Sequence, residues 1–176
     1  MTKKRRKSKS SKSARHAEVE HVDLFGTTAR LGPYGLIQFA NQYLSAAKNI
    51  EVPEIARGFS VVRTFLACRA VELALKAFLA LKGRSLVELM GPPYRHDLKN
   101  LVEEAEKRNL QSLVKLDDRQ RAEIIRASDY YAEKVLEYPS LKEAISGYPK
   151  MPNTDTLIVV VDALIRALQE PCLNAE

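Results

Sequence analysis

The chain has 176 residues, 45% of them hydrophobic, enough to bury one sizeable core and too few for two. Its two cysteines, Cys68 and Cys172, stand too far apart for metal-ligand spacing and are too few for a disulfide framework. The net charge of +6 hides a division: Lys3, Lys4, Arg5, Arg6, Lys7, Lys9, Lys12 and Arg15 place eight of the 28 basic residues in the first 15 positions with no acid, leaving 20 against 22 acidic residues, or −2, in the remainder.

Residues 1–21, MTKKRRKSKSSKSARHAEVEH, lack the apolar side chains that offset ordering entropy, so they read as a disordered basic tail before a helical domain over 22–176. Two readings of the tail stand open. Lys3, Lys4, Arg5, Arg6 and Lys7 either tether a polyanion by releasing its counterions or simply keep the chain solvated. No apolar core follows the basic run as in a secretory signal, and no stretch is apolar and long enough to span a bilayer. A soluble cytoplasmic protein without membrane contact is expected.

After Gly32, Pro33 and Gly35, the helical spacing of Leu36, Ala40, Tyr43, Leu44 and Ala47 predicts a first helix ending near Asn49. The long central helix is predicted over about 53–82, from Pro53 in its first turn to Gly83 as its left-handed stop. Apolar residues from Val61 to Leu81 cover most of its circumference, so it should be packed on several sides. Gly91, Pro92 and Pro93 break the chain before a third helix with Leu98, Leu101, Val102 and Ala105 on one face, capped by Asp97 or by His96. A fourth is predicted from Asp117 or Asp118 to Pro139. The last runs from about Thr154 to Glu170, bracketed by Asn153 and Pro171, its polar stripe Asp155, Asp162, Arg166 and Gln169 outweighing the strand propensity of Leu157–Val161. The fold class is therefore all-α, a four- to five-helix bundle with no convincing strand.

Three groups of residues are candidates for function. His96, in YRHDL, either donates to an anion or moves protons near neutral pH, or caps a helix and ties its loop to the central helix. Arg69, Glu72 and Lys76 recur at helical spacing; they form a phosphate-facing stripe or intrahelical ion pairs, and Arg95 beside His96 is a further candidate for contact with an anion or nucleic acid. Tyr131, Lys134 and Tyr138 at i, i+3 and i+7 would share one helical face, either for stacking on bases or as core with hydroxyls at the rim. The sequence contains no glycine-rich phosphate loop, no Ser/His/Asp constellation and no metal-ligand cluster, and neither a cofactor nor a metal is expected.

AVELALKAFLALKG in the central helix, RHDLKNLVEEA at the next helix start and SDYYAEKVLEYP further on come in an order and spacing that resembles the HEPN family of small helical proteins. The resemblance covers roughly residues 55–140. It implies a helical bundle, commonly a homodimer, of the kind found in prokaryotic defence and toxin–antitoxin systems and used for RNA cleavage, RNA binding or nucleotide-linked regulation. Active ribonucleases of the family carry Arg, four to six residues, then His, and need no metal. Here Arg95 and His96 are adjacent, and Arg15 with His21 match that spacing only at the tail. The expectation is a noncatalytic module that binds RNA or a partner protein. The alternative is a metal-independent endoribonuclease using His96 or His21.

Overall fold

The computed structural model describes residues 20–24, 27–52, 60–138 and 141–175. A two-stranded antiparallel hairpin, β1 (Glu20–Leu24) and β2 (Thr27–Leu31), precedes the helices and pairs His21 with Arg30 in register. Then come α1 (Pro33–Asn49), α2 (Val61–Leu81), α3 (Leu86–Met90), α4 (Leu98–Lys107), a short 3-10 turn at Leu110–Ser112, α5 (Asp118–Tyr131), α6 (Leu141–Ser146) and α7 (Thr154–Leu173). The all-α bundle is as expected, with the hairpin as an addition to it. Because β1 starts at Glu20, His21 belongs to a strand and not to the tail; Lys3, Lys4, Arg5, Arg6, Lys7 and Arg15 lie outside the described residues. None of the described helices is long and apolar enough to cross a membrane.

Helix α2 is the pillar that its all-round apolar pattern requires. Thr64, Ala67, Cys68 and every residue from Ala70 to Ala80 are buried, with α1, α3, α4, α5 and α7 packed against it. It begins at Val61 rather than Pro53, because Ser60 is extended (φ −150°) and its hydroxyl accepts the Arg63 N–H at 3.2 Å as the N-cap. Residues 53–59 lie outside the described residues. At the other end Gly83 adopts φ 84°, and the bonds Gly83 N–H to Ala80 O and Arg84 N–H to Leu79 O complete a Schellman closure.

Two further boundaries differ from the sequence reading. Helix α5 stops at Tyr131 and not at Pro139: Lys134 takes the left-handed position (φ 59°), Lys134 N–H bonds Tyr131 O, and Val135 N–H bonds Tyr130 O. This is the same closure built without glycine, and it lets Leu136 turn back into the core. Helix α7 runs through Pro171 to Leu173, since a proline so near the end forfeits only one backbone bond. The short α6 had no separate signal in the sequence.

Candidate functional site

Glu72 stands in the middle of α2 with its side chain fully buried. A carboxylate there demands partners, because an unpaired buried charge is very costly. It has four. Oε1 accepts from Lys76 Nζ at 2.6 Å, and Oε2 accepts from Arg69 Nη1 at 2.8 Å and from the Tyr131 hydroxyl at 2.5 Å, with His96 Nδ1 at 3.3 Å. The helical spacing of positions 69, 72 and 76 aligns the first two partners. The others are brought in by the fold.

His96 reaches Glu72 because the chain leaving α2 reverses through α3 and is pinned again at Gly91, whose carbonyl accepts the N–H groups of Tyr94 and Arg95 at 3.0 Å. Lys76 Nζ then bonds the Arg95 carbonyl at 2.7 Å. Asp97 caps α4, accepting from Asn100 N–H at 2.9 Å and from the Ser128 hydroxyl at 3.0 Å. His96 is therefore not the cap. It ties the loop to the central helix, and its ring stands edge-on to Tyr131 at 5.8 Å.

Around this cluster lies a pocket of about 230 Å³ lined by Arg69, Glu72, Leu73, Lys76, Met90, Arg95 and His96. That is several times the roughly 30 Å³ that a water molecule occupies in the liquid. Three cations therefore face one carboxylate. Burial pushes the Glu72 carboxyl upward, but Lys76 and Arg69 outweigh it and hold it below its ordinary value. Lys76 is also held below its ordinary value: burial depresses its ammonium, and the attraction of Glu72 does not recover the loss, to which Arg69 and Arg95 add a smaller repulsion. With Arg69, Lys76 and Arg95 set against Glu72 alone, the lining carries more positive than negative charge, which an anion would offset.

Four residues chosen from the sequence, Arg69, Lys76, Arg95 and His96, thus converge on one pocket. Tyr131 and Lys134 do not act as expected. Tyr131 is 3% exposed and bound to Glu72, so its ring cannot stack on a base. Lys134 sits in the turn after α5, and Tyr138 lies beyond the helix and 73% exposed, so the three share no helical face. The pocket's Leu73 and Met90 carried no chemical signal in the sequence; only the reversal through α3 brings Met90 to α2. Among the described residues no group of His, Cys, Asp or Glu side chains could hold a metal ion, and both cysteines are buried.

No family model, no characterised protein and no solved structure matches the chain.

Proposed function

We propose that this chain is a HEPN-type helical module that binds RNA without cleaving it, holding a backbone phosphate in the pocket beside Glu72 while the basic tail adds salt-sensitive affinity. The observation that carries this reading is the convergence of Arg69, Lys76, Arg95 and His96 around a single carboxylate. Arginine offers paired N–H donors to phosphate and lysine a compact charge. Metal-free cleavage of RNA moves one proton from the ribose hydroxyl and another to the leaving oxygen. His96 is the pocket group best placed for that work: Glu72 is engaged on both oxygens, Lys76 Nζ donates to Glu72 and to the Arg95 carbonyl, and the Tyr131 phenol beside the pocket is held protonated by burial and by Glu72. Homodimerisation and a place in a defence or toxin–antitoxin system belong to the same proposal, through the family resemblance.

One contact favours a second reading, a metal-independent endoribonuclease. If His96 Nδ1 donates to Glu72, the neutral ring keeps its lone pair on Nε2, the arrangement of an oriented general base. Incubating the full chain with end-labelled single-stranded RNA and a chelator separates the two. The binding module yields a complex containing full-length RNA. Cleavage by the wild type that disappears in a folded His96→Ala variant replaces this reading with the second.

A further inference from the structure

A larger depression, about 470 Å³, lies where the first turn of α2 meets α5 and the start of α7. Three arginines line it, Arg63 from α2 with Arg119 and Arg126 from α5, along with Glu123, Asn153 and Asp155. Their donors are far from used up. Arg63 spends Nε on the Ala47 carbonyl at 3.2 Å and Nη2 on Asp155 at 2.8 Å, and Arg126 spends Nη1 on Glu123 at 2.7 Å. The Arg119 side chain has no hydrogen bond or ion pair among the described residues, and each guanidinium carries five N–H donors.

The two carboxylates differ in kind. Glu123 is buried and fixed, its second oxygen accepting the Asn153 N–H at 2.7 Å, so it belongs to the frame. The Asp155 side chain is 77% exposed and, among the described residues, is anchored in the pocket by Arg63 alone. It stands where an anionic ligand would stand, and it can turn into solvent at little cost.

We propose that this depression binds a phosphomonoester or inorganic phosphate, with oxygens bridging Arg63, Arg119 and Arg126 and with Asp155 as the internal counter-ion that the ligand displaces. A dianion suits it better than a monoanion, since three guanidinium groups face the frame carboxylate Glu123 alone once Asp155 swings out. The site is separate from the pocket at Glu72 and does not depend on how that pocket is used.

The test is calorimetric titration of the full chain with inorganic phosphate and with 5′-AMP at constant ionic strength. The basic tail contributes equally in every variant, so differences between variants report the pocket. Arg119→Ala should weaken binding at least about threefold, as loss of one partly exposed charge-assisted contact does. Asp155→Asn should tighten it by a similar factor, a gain that misfolding cannot imitate. Arg166→Ala, an exposed arginine of α7 that pairs with Asp162 and lines neither pocket, should leave it unchanged. Tighter binding of 5′-AMP than of phosphate identifies a nucleotide monoester as the ligand, and equal binding identifies phosphate itself. Binding that neither Arg119→Ala nor Asp155→Asn alters overturns the proposal.

Discussion

The Tyr131 hydroxyl donates to Glu72 Oε2 at 2.5 Å, tying the last turn of α5 to the middle of α2 across 59 positions of sequence. Both side chains are buried, and Tyr131 packs at 5.9 Å from Phe65 and 5.8 Å from His96. One bond thus joins two helices at the carboxylate that the pocket surrounds.

Tyr131→Phe keeps the ring and deletes only the donor. A hydrogen bond to a charged group contributes about 1.5–3 kcal/mol, and chemical denaturation should show a loss of about 2 kcal/mol with an unchanged m-value. Equal stability of the two proteins would mean that the bond does not hold α5 in place.

Glu72→Gln strands Arg69 and Lys76 without their carboxylate and should cost about 3–5 kcal/mol at neutral pH. Lys76→Met leaves Glu72 Oε1 and the Arg95 carbonyl without their donor and should cost about 3 kcal/mol, the lower end of that range, because Arg69 and Tyr131 still hold Oε2. The pH dependence follows from the depressed Glu72 carboxyl. Its folded value lies below the ordinary 4.5, so between the two the unfolded chain binds more protons. The stability that Glu72 supplies is complete above 4.5 and is lost as pH falls through the folded value. Acid unfolding of the wild type should therefore converge on that of Glu72→Gln in this window, and parallel curves would contradict the assignment.

Asp97→Ala removes the α4 cap and the partner of Ser128 together, so it should cost about 1–2 kcal/mol in thermal or chemical unfolding. His96→Ala should cost less, as that ring is 28% exposed and holds Glu72 only at 3.3 Å. The reverse order would return the capping role to His96.

Much of the bundle was legible because local rules agreed with it. The apolar circumference of α2, Gly83 as its stop, Asp97 and Asn153 as caps, and the polar stripe of α7 are all set within a turn or two of chain. The misreadings came where tertiary structure decides. Lys134 takes a left-handed turn that glycine would normally mark, because Leu136 has a core to reach. The site was half legible for the same reason: positions 69, 72 and 76 share a face by helical geometry, whereas His96, Arg95 and Tyr131 join them through a loop and a helix far along the chain. Arg63, Arg119 and Arg126 gave no signal, since nothing in their spacing reveals that α2 and α5 meet there.

The eight cations of the first 15 residues should dominate the salt dependence of RNA binding. If most meet phosphates, the slope of log K against log salt is about −5 to −7 for the full chain. A chain beginning at Glu20 should keep its cooperative melt and show a much shallower slope. An unchanged slope would place the electrostatic contacts on the helical domain.

The claim that the cations around Glu72 hold an RNA phosphate is tested most directly by titrating fluorescently labelled single-stranded RNA with the full chain, wild type against Arg95→Ala, at one fixed salt concentration. Arg95 is exposed, and its side chain makes no ion pair among the described residues, so its loss should leave the melting temperature unchanged. The prediction is binding roughly threefold to fivefold weaker in Arg95→Ala, the effect of one partly solvated phosphate contact. Equal affinity of the two proteins would contradict it.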